Sequence, residues 1–277
     1  MRHFSTTSHM DSLKAPIGAD LLIGEGRAYL LSFDGVTPEV LDTHLQEWKR
    51  DKRATKTELF RSMVMHAQNR QGMPNSIGNI ENLRLVLCDF NPDQVLKTYP
   101  TWRELFDAVL TGVKVPGRLK PELANSHWVV YTKSILSCAA FLKSFDSASS
   151  FHAFVASFNF NEQSKLALPL LLKEEIFGFG FALACDFLKE NGYKEFLKPD
   201  THINDICRAL GITQATSGFG VFKDAIAYCD ANALVPYEFD KLLWLIGSGR
   251  FYQSKIQAPV NKEKFIRRLQ ALAMADN

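Results

Sequence analysis

The sequence predicts an all-α fold. Apolar residues recur at helical spacing through most of the chain, helix-start signals precede several of these runs, and only residues 21–33 have strand character. In order, Val36-Thr37-Pro38-Glu39 opens a helix: Thr37 suits the cap, and Pro38, which has no amide hydrogen, suits the first helical position. Residues 57–67 follow, with Leu59, Met63 and Ala67 on one stripe. Residues 79–87, 101–110, 132–144, 146–158 and 162–172 continue the pattern, interrupted by a Gly-, Pro- and Lys-rich loop at 113–121. Phe181, Ala184, Cys185 and Leu188 fall at i, i+3, i+4 and i+7, as do Ile203, Ile206, Cys207 and Leu210. Gly211 then ends that helix as its C-cap. Gly218-Phe219-Gly220 reads as a loop. The last helix starts at Asn261 and buries Phe265, Leu269 and Leu272.

With 277 residues, 46% of them hydrophobic, the chain can bury a sizeable core. A single helical domain over 16–277 is expected, its N- and C-terminal helices packing together, behind a disordered tail at 1–15. The net charge of +2 neither demands nor excludes a polyanionic partner. Basic residues gather at Lys49, Arg50, Lys52, Arg53, Lys56 and Arg61, and again at Arg250, Lys255, Lys262, Lys264, Arg267 and Arg268. Either cluster reads equally well as a solvated helix face. None of the five cysteines belongs to a Cys-x-x-Cys pair and most sit in apolar stretches, as expected of reduced core thiols in a cytoplasmic protein. The histidines lack zinc-ligand spacing. No apolar run is long enough to span a bilayer, and 1–10 lacks the apolar core of a signal peptide. A monomer without membrane partners is expected.

Chemistry concentrates in two segments. Gly178-Phe179-Gly180 precedes a helix, and glycines one residue apart permit a tight turn and a close backbone approach to a ligand. The amides that open the following helix suit a phosphate. Standing alone, such a turn is more often a helix-packing device. Asp200 stands at the mouth of the next helix, where a carboxylate serves as a cap or as a catalyst.

The ordered set Ile176-Phe177-Gly178-Phe179-Gly180 and Pro199-Asp200-Thr201-His202-Ile203 resembles the helix-hairpin-helix (HhH-GPD) superfamily of base-excision DNA glycosylases, nearest its endonuclease III branch. Met65-His66-Ala67-Gln68 is similar to that family's Ser-Ala-Gln helix end, and Leu245-Ile246-Gly247-Ser248-Gly249-Arg250-Phe251 to its Leu-Ile-x-x-Gly-Arg-Tyr segment, so the resemblance covers 57–252. It implies two helical subdomains flanking a cleft, with the hairpin ahead of a catalytic aspartate. The implied partner is double-stranded DNA carrying a damaged or modified base. Asp200 would stabilise the oxocarbenium-like sugar and activate water. Gly178, Phe179 and Gly180 would grip the backbone, Gln68 would fill the gap in the stack, and Arg250 and Lys198 would meet phosphate. A sodium or potassium ion would sit on the backbone carbonyls of Glu174, Ile176 and Phe179.

Three departures matter. Phe177 replaces the family's proline. Ala182 replaces the lysine with which bifunctional members form a Schiff base, which implies a monofunctional, water-using enzyme. No cysteine follows Arg250, so no iron–sulfur cluster is expected. Lys198 is a rival amine, though its loop suits phosphate or solvent. His66 and His202 read as packed structural residues. Trp48, Trp102, Trp128 and Trp244 read as core, with one able to line a base pocket. The alternative is a non-catalytic helix-hairpin-helix DNA-binding protein. In a bacterium the enzyme would be nucleoid-associated. The base excised is not legible.

Overall fold

The computed structural model describes residues 15–69, 72–116 and 118–275. The expected tail at 1–15 lies outside the described residues except for Ala15. Fourteen α-helices and one two-stranded ribbon, among the described residues, make the chain all-α. The helices are α1 (Ala19–Leu31), α2 (Pro38–Leu45), α3 (Lys56–Gln68), α4 (Met73–Ile77), α5 (Pro92–Thr98), α6 (Trp102–Gly112), α7 (His127–Lys143) and α8 (Ala148–Ser157). Then come α9 (Glu162–Glu175), α10 (Phe181–Glu190), α11 (Thr201–Ala209), α12 (Gly218–Ala231), α13 (Pro236–Ser248), the strands β1 (Arg250–Phe251) and β2 (Ile256–Gln257), and α14 (Lys262–Ala275).

The chain forms two compact units, one of residues 49–193 and one of 15–48 with 194–275. In the first, α7 is central. It packs against α3, α4, α5 and α6 and buries Trp128, Tyr131, Ile135, Cys138 and Leu142. The Tyr131 hydroxyl donates to the Val64 carbonyl of α3 at 3.1 Å, which satisfies a phenol that burial would otherwise penalise. The helix α10 packs on α9 and α3. Asn191, at its end, donates to Ser62 Oγ at 2.9 Å and to the Phe187 carbonyl at 2.6 Å, tying α10 to α3. Several starts are capping boxes: Thr55 with Glu58 opens α3, and Thr101 with Glu104 opens α6.

In the second unit α13 is central, packed by α1, α2, α11, α12 and α14. Terminal helices α1 and α14 also meet, with the Tyr29 and Phe265 rings 5.1 Å apart. Thr37 caps α2 by accepting the Val40 amide, with Pro38 at the first position, as the sequence indicates.

Several local expectations fail. Residues 21–33 are helical, not extended: Leu22, Gly26 and Leu30 bury one stripe at four-residue spacing, and Gly26 brings α1 within side-chain contact of Leu242 on α13. Residues 79–87 form a short 3-10 turn at Ile80–Leu83, not a helix, and then enter a left-handed turn with φ of 50°, 53° and 59° at Cys88, Asp89 and Phe90. Gly218-Phe219-Gly220 is no loop but the first turn of α12, where Ser217 Oγ accepts the Gly220 amide. Leu272 is only half-buried, and Ile266 takes its place in the α14 core.

Candidate functional site

Two helix starts carry the candidate chemistry, one in each unit. In the unit of residues 49–193, α9 ends at Glu175, and the chain turns through Ile176–Gly180 into α10. Gly178 has φ +86°, and a Cβ there would collide with Ser134 Oγ of α7. Both facts require glycine. The turn is pinned from α7: Ser137 Oγ accepts the Phe177 amide at 2.8 Å, and the Ile176 carbonyl accepts the Phe179 amide at 3.1 Å. Ile176 and Phe179 are buried anchors, whereas Phe177 is half exposed.

Gly180 caps α10 with φ −83° and ψ 165° and supplies no side chain. Its carbonyl accepts the Leu183 and Ala184 amides. The amides of Gly178, Gly180 and Ala182 have no acceptor among the described residues. An exposed tip bearing unpartnered amides at the positive end of a helix suits an anion. The carbonyls of Glu174, Ile176 and Phe179 are hard oxygen donors of the kind an alkali cation takes, and Ile176's retains a lone pair beyond the one its turn uses.

Gln68 ends α3 and is 9% exposed. Its amide donates to the Gly78 carbonyl, so entry into a base stack requires that bond to be exchanged. His66 is buried, with Nδ1 2.7 Å from the Ser62 carbonyl and its ring against Phe187, which is a structural role.

In the other unit Asp200 caps α11. Its Oδ1 accepts the His202 amide at 2.9 Å and the Ile203 amide at 3.1 Å. Oδ2 has no partner among the described residues. The cap therefore fixes the carboxylate and leaves one oxygen for other work. Beneath it, α11 is held by Ile203, Ile206 and Cys207, and burial pushes the Cys207 thiol far up. His202 packs over Gly247 of α13, where a Cβ would strike its ring. That contact makes it a spacer between α11 and α13. Gly211, at φ +73°, follows α11 as expected. The Lys198 amide donates to Asp240 at 3.0 Å, and its carbonyl accepts the Asp200 amide at 2.8 Å, so the loop before the cap is a fixed turn.

Gly249 ends α13 in the left-handed region at φ +66°, and a Cβ there would meet the Ala258 carbonyl. Arg250 then pairs with Gln257 in the ribbon and is exposed. It lines an open groove of about 290 Å³ with Trp244, Tyr252, Lys255, Ile256 and Gln257.

The basic clusters are partly neutralised within their own units. Lys56 meets Asp93 at 3.1 Å and Arg61 meets Glu81 at 2.6 Å, while Lys262 and Arg268 meet Asp205 and Glu25, each at 2.6 Å. Arg84 and Arg61 hold the Glu81 carboxyl below its ordinary range. Of the tryptophans only Trp128 is fully buried. Trp48 donates to Glu238 at 2.8 Å. Sequence reasoning missed Ser134 and Ser137, the α7 residues on which the hairpin is seated. Their three-residue spacing, small size and polarity were the only signal.

Among the described residues, no group of three His, Cys, Asp or Glu side chains is arranged to hold a metal ion, and no helix is long and apolar enough to cross a membrane. Comparisons with models of protein families, with characterised proteins and with solved structures find no match.

Proposed function

We propose that the chain is a monofunctional DNA glycosylase, acting on a damaged or modified base in a duplex. The observation that carries this reading is the hairpin. Gly178 is locked by φ +86° and by Ser134, and the tip presents the unpartnered amides of Gly178, Gly180 and Ala182. Such a tip suits one phosphate of a DNA strand. An alkali ion on the carbonyls of Glu174, Ile176 and Phe179 would add positive charge there.

Asp200 supplies the chemistry. The target base leaves the stack at a cost of a few kcal/mol. As the C1′–N bond breaks, its electron pair departs with the base, and positive charge grows on the sugar. A carboxylate fixed by its cap and open at Oδ2 stabilises that charge. Water then bonds to C1′ and gives its proton to the carboxylate. Gln68 fills the vacated space after exchanging its bond to Gly78. Arg250 and Lys198 meet flanking phosphates. Ala182 offers no amine, so the strand is not cleaved.

The test is abasic-site formation on duplexes carrying alkylated, oxidised, mismatched or otherwise modified bases, revealed by alkali, alongside borohydride trapping. Abasic product without a trapped adduct supports the reading, and a trapped adduct refutes its monofunctional part. Salt-dependent duplex binding with no product on any substrate would instead leave a non-catalytic hairpin DNA-binding protein.

A further inference from the structure

Beside the hairpin, on the same unit, two cations share one indole. Lys133, the α7 residue preceding Ser134, holds its ammonium 5.0 Å from the Trp102 ring centroid and 6.0 Å from that of Phe177. Arg103 holds its guanidinium 5.0 Å from the same Trp102 ring. Neither cation makes an ion pair among the described residues. The carboxylate nearest in sequence, Glu104, is committed to the Thr101 amide and hydroxyl at 2.8 and 3.1 Å.

Each charge is 5.0 Å from one centroid, so the two lie within about 10 Å of each other, near the screening length at physiological salt. They repel, and neither is paired with a carboxylate among the described residues. The indole holds both in place, so an arriving anion finds side chains whose rotamer freedom is already restricted.

We propose that Lys133 and Arg103, braced by Trp102, bind two further phosphates of the strand whose backbone the hairpin grips. The site thus runs from the Gly180 tip past Phe177 to the start of α6. A strand carries one phosphate per about 3.4 Å of helix axis, so the two cations can reach separate phosphates. Nucleic acid is favoured over a small anion because Lys133 lies against Phe177 of the same hairpin that carries the unpartnered amides and shares its indole with Arg103. This contact run rests on the hairpin being a DNA clamp.

The experiment is duplex binding by fluorescence anisotropy across a salt series, on the full chain. Three variants are compared with wild type: Lys133→Gln with Arg103→Gln, Lys97→Gln with Lys143→Gln, and Gly180→Asp. Glutamine keeps helix propensity. Lys97 and Lys143 are exposed on the same unit, and Lys143 lies ten residues along α7 from Lys133, about 15 Å along the axis. The proposal expects the slope of log K against log salt to become shallower by about 1.8 in the first pair, from about 0.9 per phosphate, and to change little in the second. An unchanged slope in the first pair, or an equal change in the second, overturns it. If Gly180→Asp loses binding while the first pair keeps the wild-type slope, this inference falls and the hairpin clamp stands. If the first pair shifts the slope while Gly180→Asp binds normally, the clamp falls and this inference, which rests on it, falls too. Absence of wild-type binding overturns both.

Discussion

Gly180→Asp separates binding from folding more cleanly than a change at Gly178. Gly178 cannot take a side chain, because its φ is +86° and Ser134 Oγ occupies the space. Gly180 can: its φ of −83° is open to any residue, and nothing lies within 4 Å of an added Cβ. Aspartate is moreover a preferred N-cap, better than glycine by a few tenths of a kcal/mol, so stability should hold or rise slightly. The new carboxylate would take up the Ala182 amide and stand where the proposed phosphate would bind. Two unit charges about 4 Å apart repel by about 1 kcal/mol in a water-like medium and about 4 kcal/mol at an effective dielectric of 20. Duplex binding should weaken between roughly 5-fold and 10³-fold, with the salt slope shallower by about 0.9. Anisotropy with a labelled duplex measures this, and urea unfolding checks the fold. An unfolding midpoint at or above wild type, with a Kd within about two-fold of it, would refute the reasoning.

Gly249→Ala should destabilise by about 2–4 kcal/mol, since φ +66° disfavours a side chain and the Ala258 carbonyl fills its place; a urea midpoint near wild type would contradict this. Glu58 accepts the Ala54 and Thr55 amides at 2.8 and 3.1 Å, and its bond to the Thr55 amide chiefly holds its carboxyl below the ordinary glutamate range. A depressed folded pKa gives stability that is present above the unfolded value and lost as pH falls through the folded one. The stability gap between wild type and Glu58→Gln should therefore be open at pH 6 and close below about pH 4, where glutamate ordinarily protonates; a gap that persists into acid would contradict it. Cys138, Cys185, Cys207 and Cys229 are buried, and burial pushes the Cys138 and Cys207 thiols well up. Only Cys88 should react with a thiol reagent in the native protein, and rapid labelling of more than one cysteine per chain would count against this packing.

Local chemistry was the legible part of the fold. The Thr37–Pro38 start, the helix α10, the α11 stripe and the Gly211 stop follow from caps and periodicity that need no distant partner, although α10 buries Leu183 through Lys189 continuously and leaves Phe181 half-buried. Failures came where tertiary contacts decide. The glycines of 21–33 weakened its helical signal, yet Gly26 is there to admit α13. The left-handed turn at Cys88–Phe90 uses no glycine and so left no mark in the sequence. The α7 start at His127 was missed because Trp128, Val129, Val130, Tyr131 and Thr132 are all buried, which erases the polar face that periodicity needs. The division at 49 and 194 has no linker composition to announce it. Within the site, Gly178 was legible because its left-handed backbone demands glycine, and Asp200 because a helix start favours a capping side chain; Gly180, whose backbone is open to any residue, was legible only from its spacing to Gly178. Ser134, Ser137 and Lys133 were not, because they matter only through the hairpin seated against α7.

The central claim is that Asp200 hydrolyses a glycosidic bond, and Asp200→Asn tests it most directly. Asparagine keeps the Oδ1 acceptor that caps α11 through the His202 and Ile203 amides, so folding and duplex affinity should stay at wild type. On whichever substrate in the lesion panel wild type converts, single-turnover abasic-site formation should fall by at least about 10²-fold, the scale of losing one charge-stabilising group. Abasic product at the wild-type rate from Asp200→Asn would contradict the claim and leave Asp200 as a helix cap alone.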